Sequence, residues 1–171
     1  MPHSFFLRKT ARQFLAVIFL FSSQWLWGQE FFLNGSATQS NDTCWVLTPD
    51  ELWQVGSIWN EQKINLNESF QVLMDMYFGC RDSDGADGIV FGFQPVSTSV
   101  GSQGEGIGFQ GVVPSLGIEF DTWQNGNYGD PAGDHIAMVS NGSVDHNAAT
   151  AIAGPVQADA FDANIEDGED H

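Results

Sequence analysis

The chain has 171 residues, 42% of them hydrophobic, with 14 Phe, 6 Trp and 19 Gly, and its 22 acidic residues face only 5 basic ones. That length suits one domain with a sizeable core, and sheet-forming aromatics mixed with turn residues point to an all-β fold. A net charge of −17 argues against nucleic acid or a membrane face as partner and makes divalent cations the natural counter-charge.

Residues 1–28 read as a secretory signal peptide: Arg8, Lys9 and Arg12 precede the apolar run "FLAVIFLFSSQWLWG", which ends in a cleavage site after Gly28. An uncleaved anchor is the rival reading. The run, however, is shorter than the roughly 20 residues of a membrane span and is broken by Ser22, Ser23 and Gln24. Cleavage places the product outside the cell or on its surface, with no membrane insertion. The mature part, 29–171, keeps all 22 acidic residues against Lys63 and Arg81, a net charge of −20.

After residue 29, short runs of Phe, Val, Ile and Trp recur between clusters of Gly, Asn, Asp and Ser, which is a strand-and-turn pattern. Strands are predicted at 31–33, 44–47, 55–59, 69–79, 88–94, 106–109, 116–123 and 135–140. In "SFQVLMDMYFG" both faces carry apolar residues, Phe70, Val72, Met74, Met76 and Phe78 on one and Leu73 and Tyr77 on the other, so 69–79 is expected as an internal strand. Such a chain most simply forms a two-sheet β-sandwich or jelly roll, with a closed barrel as the alternative. Cys44 and Cys80, the only two cysteines of an exported chain, are expected to form a disulfide. Four Asn-X-Ser/Thr sequons begin at Asn34, Asn41, Asn67 and Asn141 and are read as incidental in an Asn-rich β-protein. The tail "ADAFDANIEDGEDH" holds six carboxylates in fourteen residues and supplies no closing strand.

The chemistry concentrates in "EFDTWQNGNYGDPAGDH", residues 119–135. Glu119 and Asp121 are two apart in an apolar strand and so point to one face. Two adjacent carboxylates imply either proton-transfer chemistry or a bound cation. Oxygen donors from Asp121, Asn125 and Asp130 with the Trp123 carbonyl suit Ca²⁺, whereas Glu119, Asp121, Asp130 and His135, with one nitrogen, suit a transition ion such as Mn²⁺. A merely acidic turn would not need paired carboxylates on one strand and a histidine opening the next. The loop "DSDGADG", 82–88, lacks the length and terminal Glu of an EF-hand, so Asp82 and Asp84 are read as solvated.

Over most of its mature length the sequence resembles the L-type, legume-like lectins, which include secreted bacterial members. The resemblance runs from "FFLNGSATQ" through "LTPDELWQVGSIWN" and "GADGIVFGFQP" to the metal loop and "DHIA". It implies a concanavalin-like β-sandwich binding Ca²⁺ and Mn²⁺ (or another transition metal) at the residues just named. It further implies a sugar site of Asp87, the Gly104 amide, Asn125 and the Trp123 ring, with a cis peptide between Ala86 and Asp87 and mannose- or glucose-type glycans as ligands. Trp123 stands where the family more often has Phe or Tyr. The family's further strands, which complete both sheets, have no counterpart before His171, so the domain is expected to be incomplete at its C-terminus. The oligomeric state stays open, homo-oligomers included. A laminarinase-like glycoside hydrolase, which shares the jelly roll, needs a second carboxylate where this chain has Trp123 and Gln124. A structural adhesion module without sugar binding is the other alternative.

Overall fold

A computed structural model of the protein describes residues 30–99, 101–159 and 163–171; the expected signal peptide lies outside them. The strands are β1 (Phe31–Gly35), β2 (Thr38–Asn41), β3 (Cys44–Val46), β4 (Gly56–Asn60), β5 (Gly88–Phe93), β6 (Leu116–Asp121), β7 (His135–Ser140) and β8 (Ala151–Gln157). All pairings are antiparallel: β1 with β4, β2 with β3, and a four-stranded meander in the order β5-β6-β7-β8. The fold is thus all-β, and among the described residues no helix is long and apolar enough to cross a membrane.

The meander follows from alternation. Along β6 buried residues alternate with more exposed ones, Gly117, Glu119 and Asp121 sharing one face, and along β7 the same holds for His135, Ala137 and Val139. Because the side-chain period of a strand is 2, the register fixes which of these meet: Gly117 lies opposite Val139, Glu119 opposite Ala137 and Asp121 opposite His135. One face therefore has an apolar end and an ionisable end. At the apolar end Phe109, Val112, Ala137, Val139 and Val144 form the core, with Val90 and Tyr128 packed on it. Burying one such side chain contributes roughly 1.5 to 3 kcal/mol.

Two glycines shape this core. Gly92 and Gly117 are cross-strand neighbours, and a Cβ on them would stand 3.4 and 2.9 Å from the Phe109 ring. The ring lies in the notch their missing side chains leave. Across the opposite face of the sheet runs the segment around Phe70 and Phe78, whose rings stand 5.7 Å from Phe93 and 6.1 Å from Phe120.

That segment corrects one expectation: 69–79 is not an internal strand. Among the described residues its one bridge joins Tyr77 to Asp170, with Met76 and His171 exchanging backbone hydrogen bonds of 2.9 Å, and Leu73 is 84% exposed. Apolar residues on two faces make a strand only where neighbouring backbone supplies partners. The predicted strand at 106–109 is instead a 3-10 turn at Gly104–Gly106, closed by Ile107 in the left-handed region (φ 48°) and by an Ile107 N–H to Gly104 C=O bond of 2.8 Å. Strands β2 and β8 were not predicted: β2 is polar and exposed, and β8 contains Gly154 and Pro155, residues that normally weaken a strand prediction. Pro is tolerated there because β8 is the last strand of its sheet.

The expected disulfide is also corrected, since Cys44 and Cys80 are both free and exposed. Cys44 belongs to the β2–β3 hairpin, paired with Asn41, whereas Cys80 sits beside Gly168, in the segment that the 168–171 tail joins by a Gly168 N–H to Gly79 C=O bond. An even count supplies two thiols, but a bridge needs their Cα atoms within about 7 Å and their Cβ atoms facing.

Candidate metal centre

The ionisable end of the meander is built by β6, β7 and the loop 122–134 between them. Two carboxylates fold this loop. Asp121 Oδ1 accepts the Trp123 N–H at 2.7 Å and Asp130 Oδ2 accepts the Asn125 N–H at 2.6 Å, and the other Asp130 oxygen, Oδ1, is buried without a hydrogen bond among the described residues. The loop is held onto the rest of the domain by Tyr128, whose hydroxyl donates to Glu105 at 2.8 Å and whose carbonyl accepts the His146 N–H at 2.8 Å.

Inside lie Glu119 and His135, each 0% exposed. Among the described residues no well-formed hydrogen bond reaches either Glu119 oxygen, Asp130 Oδ1 or Asn125 Oδ1, although the Nε2 atoms of His146 and His135 stand 3.1 and 3.6 Å from Glu119 Oε1. The Nε2 of His146 is also 3.1 Å from that of His135 and 3.3 Å from Asp130 Oδ1. His135 Nδ1 lies 3.3 Å from the Gly133 carbonyl; with its proton donated there, Nε2 turns a lone pair to the centre. Two donor groups result, Glu119 with His135 and His146, and Asp121 with Asp130 and His135, the ligand atoms of each lying within 4.8 Å of one another.

The electrostatics are those of a place short of positive charge. Burial pushes the Asp121 carboxyl up to about 7, opposed by the Trp123 amide and His135 and assisted by Asp130 and Glu119. For His135, burial acts downward, but the surrounding carboxylates Glu119, Asp121 and Asp130 outweigh it and raise its pKa. Buried acceptors without donors are costly, and a divalent cation is the group that would satisfy them together. The donors present fit one: carboxylate and amide oxygens for a hard ion, imidazole for a transition ion.

The residues expected at a sugar site are brought into the same neighbourhood. Asp87 precedes β5, follows a cis Ala86–Asp87 peptide, and its carbonyl accepts the Thr122 N–H at 3.1 Å. Burial, then the charge of Glu105, raise the pKa of its carboxyl. Gly104 opens the 3-10 turn with φ 78° and no atom within 4 Å of a would-be Cβ, and its neighbour Glu105 carries the tie to Tyr128. Trp123 is 43% exposed and borders a groove of about 460 Å³ with Asp82, Thr122, Gln124, Asp134 and Asn164; Asp87, Gly104 and Asn125 are not among its lining residues.

Two features were missed in the sequence. His146 lies in the polar turn "SVDHNAAT", where nothing in local pattern marks it. Glu166 is 4% exposed, its Oε2 accepts no hydrogen bond, and burial, then Asp134 and Asp82, push it up to about 7 against a smaller lowering by Thr122. Gly85 admits it, since any Cβ there would collide with Glu166 Oε1. As pH rises from the unfolded value near 4.5 to about 7, the unfolded chain ionises first and folded stability falls; above 7 the full cost, up to about 3 kcal/mol, is present. Glu166→Gln is therefore expected to match the wild type at pH 4 and to exceed its stability at pH 8, measured by urea unfolding at both values.

Comparison with known proteins adds the family. A model described as the legume lectin beta-barrel domain, for L-type lectins, matches residues 26–171. A pesticidal crystal protein, Cry22Aa, of Bacillus thuringiensis is 36% identical over 97 residues, 56% of this chain and 13% of that protein. A galactose-binding lectin of Arachis hypogaea is 39% identical over 71 residues, 38% of this chain and 26% of that protein. The chain thus spans about an eighth and a quarter of the lengths of these two relatives.

Proposed function

The chain belongs to the L-type legume lectin domain family, and on that premise we propose that it is a secreted, metal-dependent, non-enzymatic carbohydrate-binding domain. The observation that carries the reading is the set of buried acceptors without donors, Glu119 on β6 and Asn125 and Asp130 in the same loop that carries Trp123. In this reading Asp121, the Trp123 carbonyl, Asn125 and Asp130 hold Ca²⁺, while Glu119, Asp121, Asp130 and His135 hold a transition ion. The bound ions would neutralise the carboxylates and stiffen the loop, and would do no covalent chemistry.

Sugar recognition then falls to the chain's own groups. Asp87 accepts hydrogen bonds from two hydroxyls, the Asn125 amide and Gly104 N–H donate, and the Trp123 ring covers an apolar sugar face. Glycans of the mannose or glucose type are the proposed ligands. The name of the Arachis hypogaea relative gives galactose a specific claim as the second reading. Hydrolysis is disfavoured because Glu119, the first carboxylate of the hydrolase pattern, is 0% exposed, and the second, which would have to flank the glycosidic bond with it, is replaced by Trp123 and Gln124. The basic and apolar leader supports secretion.

A glycan array probed with the mature protein tests this. Binding to mannose- or glucose-terminated glycans is expected with Ca²⁺ and a transition ion present and is expected to vanish with chelator. Selective binding to galactosides would transfer the specificity to the second reading, and binding indifferent to chelator would end the metal-dependent mechanism.

A further inference from the structure

We propose that His146 is an additional protein ligand of the transition-ion site, making it a two-imidazole centre suited to Zn²⁺ and its neighbours rather than to Mn²⁺. The inference rests on the metal-centre part of the reading above and not on its sugar part. Neither the spacing of the metal loop nor the family resemblance pointed to this residue.

Distance is the first ground. Nε2 of His146 is 3.1 Å from Glu119 Oε1, 3.3 Å from Asp130 Oδ1 and 3.1 Å from His135 Nε2. Bonds from zinc to nitrogen or oxygen are about 2.0 to 2.2 Å long, so neighbouring donors around one ion stand roughly 3 to 3.5 Å apart. His146 Nε2 keeps that spacing from three donors at once.

Burial and placement are the second. The His146 side chain is 4% exposed, and its backbone is pinned by the N–H bond to Tyr128 C=O and by the Asn147 N–H to Asp145 Oδ1 bond of 2.9 Å just after it. Gly129 lies directly under Asn147, whose amide a Cβ at 129 would touch at 2.8 Å. The turn carrying His146 is therefore docked on the metal loop and presents its ring edge-on to His135 at a centroid distance of 5.2 Å.

Chemistry is the third. Two Nε2 atoms 3.1 Å apart can share at most one proton, whereas both lone pairs can serve one cation. Each imidazole that replaces a water or carboxylate moves preference away from Mn²⁺ and toward Zn²⁺, Ni²⁺ and Co²⁺.

The test uses the whole mature protein, stripped with chelator, with Ca²⁺ held constant in the transition-ion measurements and titrated separately. X-ray absorption at the zinc edge of the wild type reloaded with one equivalent of Zn²⁺ should show two imidazoles per ion, and needs no variant. By titration calorimetry, His146→Ser should lose about 10- to 100-fold in Zn²⁺ affinity, while its Mn²⁺ and Ca²⁺ affinities stay within about threefold; the Ca²⁺ value also reports that the variant is folded. A single imidazole in the wild-type spectrum, or a folded variant with undiminished Zn²⁺ affinity, overturns the proposal and leaves the metal centre standing. Absence of all transition-ion binding overturns both. Loss of glycan binding with the two-imidazole spectrum intact would count against the lectin reading alone.

Discussion

Stripping the protein of divalent ions will lower its thermal midpoint by about 10 to 15 °C. Without a cation the fold must hold Glu119, Asp121 and Asp130 inside one buried pocket, with Glu119 fully enclosed and its oxygens without donors. The rise of the Asp121 carboxyl to about 7 shows how strongly the surroundings resist that charge. An ion present at about 1,000 times its dissociation constant stabilises the folded state by about 4 kcal/mol, and a domain of this size converts that at roughly 3 °C per kcal/mol. Scanning calorimetry with Ca²⁺ and Zn²⁺, then with excess chelator, measures it. Equal midpoints would mean that the carboxylates are accommodated by some means other than ions.

The second large effect is expected at Asp87, where Asp87→Asn should reduce glycan affinity about 100-fold or more while leaving metal affinity and thermal midpoint nearly unchanged. Hydrogen bonds to a charged acceptor are worth about 1.5 to 3 kcal/mol each, and two sugar hydroxyls are proposed to share this one. Stability should not suffer, because burial and Glu105 already disfavour the ionised Asp87 carboxylate. The amide keeps the shape and removes the disfavoured charge. Glycan binding by surface plasmon resonance, set beside a melting curve, separates the two outcomes; a variant that binds sugar as well as the wild type would remove Asp87 from the site.

How much of this was legible in the sequence differs by element. Strands with clear alternation, β6 and β7, were read to within a few residues because period-2 burial is written into "LGIEFD" and "HIAMVS". The same alternation brings Glu119, Asp121 and His135 onto one buried face, so their convergence follows from spacing and one hairpin register. Segment 69–79 misled because apolar residues on both faces describe a capacity to be covered, not the presence of a hydrogen-bonding neighbour. His146 could not be read at all, since it reaches the centre through a turn whose path depends on contacts with Tyr128 and Asn147. The cysteines show the same limit: their number is local information, their separation is not.

The glycine notch in the sheet reaches further than the core. Phe109 follows the Gly104–Gly106 turn by three residues, and its ring, seated against Gly92 and Gly117, ties that turn to the sheet. The notch works as an anchor: a methyl group added at Gly117 would meet the Phe109 ring at 2.9 Å, so crowding the floor of the sheet would strain the attachment of the turn that Phe109 follows.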